Sequence, residues 1–157
     1  MNGIRNLIWW SLFIVTAIAV QALLPGLDVL VVGLLILLQE RDYKNLLWLA
    51  PLFIFLQEGV GTRFFGSSML LYTVTTLFLR MGQWLFEVES FFFIVLLSAC
   101  LVAPYYALDW LMAPLQNISF DTDKTLEKCL LQALFLPFAW RILTLTRRWT
   151  RHNEVAE

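Results

Sequence analysis

The segment Gln57-Glu58-Gly59-Val60-Gly61-Thr62-Arg63-Phe64-Phe65-Gly66-Ser67-Ser68 decides how this chain is divided. It is a long polar and glycine-rich break in the middle of a very apolar sequence. It separates two apolar runs, residues 46–56 and 69–79. The break holds an acid, a base and three glycines. Glycine permits positive φ and close backbone approach. The break therefore reads as a plain helix-to-helix turn or, more sharply, as a re-entrant loop buried in protein. Glu58 and Arg63 either form an ion pair at the outer membrane face or are hydrated separately at headgroup level, because ionisable groups near hydrocarbon are costly.

Working outward, composition sets the solvent. Of 157 residues, 60% are hydrophobic and 15% charged, against about 25% charged in a soluble domain. The mean hydropathy is +0.74. There is too little polar surface to cover a water-soluble globule, so the chain reads as one integral membrane domain. A net charge of −1, with the bases scattered between apolar runs and gathered near the C-terminus, gives no groove for nucleic acid. Cys100 and Cys129 lie in or beside apolar runs and read as small buried hydrophobes.

Six apolar segments follow in order, over residues 4–24, 27–38, 46–56, 69–79, 91–112 and 126–145. The first resembles a secretory signal at its start, but the apolar run continues through Gln21 to Leu24, as a spanning helix requires. Pro25-Gly26 ends it. The second is short for a span and reads as tilted or half-buried in the bundle. Pro51, Pro104 and Pro137 fall inside runs, which neighbouring helices make tolerable in a membrane. Asp121-Thr122-Asp123-Lys124-Thr125 reads as a turn into a capped helix. The sequence thus predicts an all-α polytopic membrane protein: a six-helix transmembrane domain over residues 1–146 and a basic cytoplasmic tail over 147–157.

Six crossings put both termini on one side. With both cytoplasmic, Arg5, Arg41, Lys44, Arg80, Arg141, Arg147, Arg148 and Arg151 fall inside, and only Arg63, Lys124 and Lys128 outside. That asymmetry agrees with the positive-inside rule. The break at 57–68 and the loop at 113–124 then face outward. Asp109, near the outer end of the fifth segment, is placed to pair with Arg63 or Lys128, or to be solvated there. Arg141 is expected to snorkel.

Catalytic patterns are missing. The sole histidine, His152, is in the tail, and the chain has no HExxH, CxxC or P-loop. No enzyme activity, cofactor or metal is expected.

The run Leu52-Phe53-Ile54-Phe55-Leu56-Gln57-Glu58, followed by Gly61 and Gly66, resembles the rod-shape-determining protein MreD family, whose members carry an acid at a helix end, two spaced glycines and then an apolar helix. Glu58 stands where that family more often has aspartate, and Thr62-Arg63-Phe64-Phe65 is inserted between the glycines. Asp28-Val29-Leu30 onward resembles its second helix, and Leu136-Pro137-Phe138 with the basic tail its last. The architecture is also similar to the substrate-binding subunits of energy-coupling-factor vitamin transporters. The MreD resemblance implies a non-catalytic inner-membrane scaffold of the bacterial elongation machinery. Its implied partners are a single-span MreC-like protein and, through it, cytoskeletal and cell-wall synthesis proteins. The interaction and structural residues would be Glu58, Gly61, Arg63, Gly66 and Asp109. Two rival readings stay open: a small-molecule-binding transporter subunit using an external cavity bounded by residues 57–68 and 105–124, and a structural subunit of another membrane complex.

Overall fold

The computed structural model describes residues 3–24, 26–59, 66–84, 90–115 and 121–152, and side chains within 4–149 of that set. These residues form six α-helices and no strand: α1 Gly3–Leu23, α2 Leu30–Gln39, α3 Tyr43–Gly59, α4 Ser67–Gly82, α5 Phe91–Leu115 and α6 Thr122–His152.

Short polar residues start four of them. Backbone N–H groups in a first helical turn have no intrahelical acceptor, and a side-chain oxygen three residues earlier supplies one. Asp28 Oδ1 accepts from Val31 N–H for α2, Asp42 Oδ1 from Asn45 N–H for α3, and Ser90 Oγ from Phe93 N–H for α5. For α6, Asp121 Oδ1 accepts from Lys124 N–H and Oδ2 pairs with Lys124 Nζ at 3.0 Å. The Lys124 side chain and then its N–H hold the Asp121 carboxyl below the usual carboxylate range. A depressed carboxyl pKa adds stability above its unfolded value and loses it as pH falls through the folded one. Asp121 is exposed to solvent, so acid loosens only this helix start.

The centre of the bundle is α2. Nine of its ten residues are buried, as expected for a helix that is apolar on every side. It touches α1, α3, α4 and α6, while α5 lies outside, against α4 and α6. Gly33 marks a tight crossing within α2. A Cβ there would lie 2.5 Å from Phe13 Cε1 and 3.1 Å from Phe53 Cε2, on rings that are themselves buried and stacked edge-to-face. Gly33→Val is therefore expected to destabilise the bundle by about 1–3 kcal/mol through overpacking, read as a lower midpoint of unfolding in detergent.

The end of α2 has an unusual cap. Arg41 N–H donates to Leu38 C=O and Asp42 N–H to Leu37 C=O, the double bonding of a Schellman motif. The left-handed position in that motif is usually glycine. Here it is Arg41, at φ 54°, the one non-glycine residue with positive φ among those described.

Three helices, α1, α5 and α6, are long and apolar enough to cross a membrane, rather than the six of the sequence reading. At 1.5 Å per residue, the ten residues of α2 rise only about 15 Å, half of a hydrocarbon core of about 30 Å. The helices α3 and α4 have 17 and 16 residues, just short of a span. Large apolar side chains are left outward along one stripe of α6, at Leu134, Phe138, Ile142 and Leu145, and along α1 at Leu7, Leu12 and Val15. Such stripes suit contact with lipid and not with water.

Candidate functional site

Two sets of buried polar residues lie at the two ends of α2 and join helices there. At its start, Gln132 of α6 pairs with the peptide groups of Asp28. Asp28 N–H donates to Gln132 Oε1 at 2.7 Å, and Gln132 Nε2 donates to Asp28 C=O at 2.9 Å. The side-chain amide of one helix thus satisfies both backbone groups of a residue that precedes another. Asp28 and Gln132 are 0% and 1% exposed. At the same end of the bundle, Gln21 Nε2 of α1 donates to Gln57 Oε1 of α3 at 2.7 Å, again fully inside. The approach to Asp28 passes through Gly26 at φ 116°, where a Cβ would lie 3.2 Å from Lys128 Cγ.

At the other end, Arg147 of α6 closes on the Glu40 carboxylate. Its Nη2 donates to Oε2 at 2.8 Å and its Nε to Oε1 at 3.0 Å, the two-point geometry that guanidinium and carboxylate share. Nη1 donates to Asn6 Oδ1 at 3.0 Å. The guanidinium carbon lies 4.6 Å from the Trp9 ring centroid and 5.1 Å from that of Trp10, within cation–π range. The Arg147 side chain is 3% exposed. Two turns earlier on α6, Trp140 Nε1 donates to Gln39 Oε1 at 2.7 Å. Gln132, Leu136, Trp140, Leu143 and Arg147 recur at three- and four-residue spacing, so a single face of α6 carries both clamps.

These contacts fix the directions of α1, α2, α3 and α6. Arg147 lies beside Asn6 and Glu40, while Gln21, Asp28, Gln57 and Gln132 lie at the opposite end, so α1, α2 and α3 alternate in direction and α6 runs antiparallel to α2.

The residues proposed from sequence are placed as follows. Glu58 is half-buried at the end of α3, and its Oε1 accepts from Gly66 N–H at 3.0 Å. Gly66 precedes α4 at φ 82°, where a side chain is strained. The Glu58 carboxylate therefore joins the end of α3 to the beginning of α4. Gly61 and Arg63 lie outside the described residues. Asp109 is half-buried near the C-terminal end of α5. Cys129 is buried and Cys100 faces outward. Glu58→Gln, which retains an acceptor for Gly66, is expected to cost little, and Glu58→Ala about 1–2 kcal/mol, measured as unfolding midpoints in detergent. If an ion pair to Arg63 set the role of Glu58, the two variants would be equally damaging.

Sequence reasoning passed over Gln21, Asp28, Glu40, Gln132 and Arg147. A signal was present for Gln132: an amide inside an apolar run, in register with the core-facing residues of the same helix. No such signal marked Arg147, which lies among three other bases near the chain end.

No family model, no curated protein and no solved structure matches the chain.

Proposed function

We propose that this chain is a non-catalytic, multi-pass scaffold subunit of a bacterial inner membrane, belonging to the cell-shape and cell-wall elongation machinery. In this reading all six helices are embedded, with α2 shielded by the others so that its short length need not match the bilayer. Both termini and the Arg147 end face the cytoplasm, where the basic residues gather. The α3–α4 turn faces outward and meets a single-span MreC-like partner.

One observation carries the reading. Glu58 and Gly66, the residues on which the resemblance rests, are joined by a hydrogen bond that shapes the α3–α4 hairpin. The buried clamps support it, since Gln132 and Arg147 are engaged in holding helices in register. A scaffold works by presenting surfaces in fixed relation, and buried interhelical bonds with close small-residue crossings are how membrane helices hold one.

The test is affinity purification of the tagged full chain in mild detergent with mass spectrometry of what accompanies it. Recovery of a single-span membrane protein, lost in Gly66→Leu while the bundle still elutes intact, is the expected outcome. Purification of the chain alone with a bound small molecule would overturn the scaffold role in favour of a transporter subunit. Cysteine labelling at Thr122 and Asn153 should give opposite sidedness.

A further inference from the structure

We infer that the cleft between α3 and α4 is a binding site for an anionic phospholipid of the leaflet at the Arg147 end. This depends on the chain lying in a membrane and not on the scaffold role.

A groove of about 630 Å³ runs between these helices. One wall is Leu46, Ala50 and Ile54 of α3; the other is Met69, Thr73 and Thr76 of α4; Leu34 and Leu38 of α2 form its floor. The threonine hydroxyls donate to their own helix, Thr73 to Met69 C=O and Thr76 to Tyr72 C=O. They therefore turn no free donor on an apolar occupant. From Met69 to Arg80 the groove is about 16 Å long at the helical rise, which matches one leaflet of a core about 30 Å thick.

At its end the groove meets a small polar pocket lined by Arg41, Tyr43, Arg80 and Gln83, with Leu38 and Arg80 common to both. Both arginines are exposed, and neither side chain has a hydrogen bond or ion pair among the described residues. Of the acids flanking Arg41 in the chain, Asp42 is engaged with Asn45 and Glu40 with Arg147. An acyl-length apolar trough ending in two uncommitted guanidinium groups, a phenol and an amide is complementary to one acyl chain under a phosphate headgroup.

The backbone adds an independent observation. Arg41 occupies the left-handed position of the α2 cap, where glycine would be unstrained. Strain retained at a non-glycine residue is found at ligand clamps, and here it places a guanidinium at the mouth of the groove.

The test is native mass spectrometry of the delipidated full chain in detergent, titrated with dioleoyl phosphatidylglycerol or dioleoyl phosphatidylcholine. The wild type should favour the anionic lipid by about tenfold or more. Arg41→Gly with Arg80→Gln should abolish that preference while leaving the unfolding midpoint unchanged or raised, because glycine relieves the cap. Lys44→Gln with Arg148→Gln, which removes two exposed bases outside the groove, should retain it. Thr76→Trp, which fills the trough, should weaken both lipids. Equal binding of the two lipids by the wild type would overturn the assignment. So would an unchanged preference in the Arg41/Arg80 variant, or its loss in the Lys44/Arg148 variant. Occupation of the groove by a co-purified partner helix in place of lipid would also overturn it.

Discussion

Arg147→Ala is expected to be among the most damaging single substitutions in this chain, lowering stability by about 3–5 kcal/mol. The guanidinium makes three hydrogen bonds to the Glu40 carboxylate and one to Asn6, and it covers the faces of Trp9 and Trp10. Truncation removes all of these while Glu40, with a side chain 13% exposed, stays where it is. The cost of a broken buried pair comes mainly from the charge left behind. Arg147→Lys should fall between, because an ammonium keeps the charge but cannot reproduce the planar two-point fork or the stacking. Glu40→Leu with Arg147→Met should recover much of the loss, since replacing both charges leaves neither stranded. Unfolding in mixed detergent micelles, followed by tryptophan fluorescence, measures all three. A double variant no better than Arg147→Ala would show that packing against Trp9 and Trp10, and not the ion pair, is what the arginine supplies.

Gln132→Met is expected to be the second large effect. Methionine conserves volume and removes the amide, so the Asp28 N–H and C=O both lose their partner in the interior. Each unsatisfied backbone group costs about 1–3 kcal/mol, although hydrogen bonds between membrane helices are often worth less than that. Because Asp28 also caps α2 through Val31 N–H, the damage should concentrate at the start of α2. Hydrogen exchange should quicken at residues 28–32 and stay unchanged at the Glu40 end. Uniform loss of protection along α2 would show instead that the helix opens as one unit. Gln21→Leu, which leaves Gln57 only one polar neighbour short, should cost less.

The helices themselves were largely legible. All six apolar segments are helices, because a long apolar run in a membrane has to satisfy its backbone within the segment. Caps were partly legible: the Asp121 turn starts α6 as its composition suggested, since a short carboxylate before a helix has few better uses. The α3–α4 hairpin was marked by its glycines, and Glu58 and Gly66 do come together there. How far each helix reaches was less legible. An apolar run looks the same whether lipid or protein surrounds it, so α2 read as a candidate span and proved to be a ten-residue core helix.

The sequence alone specified the helical class and an apolar content suited to a membrane, through long apolar runs and breaks placed at glycine, proline and charge. It also determined where the basic residues lie along the chain. Which polar residues face inward was set by the packing of the helices. Gln132 and Asp28 are 104 residues apart, and Arg147 and Glu40 are 107 apart. No local pattern encodes such a pairing, because it depends on how one face of α6 aligns with both ends of α2. The same distinction applies to the arginines. Arg80, Arg41 and Arg147 are equivalent as charges in the sequence. The packing buries Arg147 against Glu40 and leaves Arg41 and Arg80 at the open mouth of a groove.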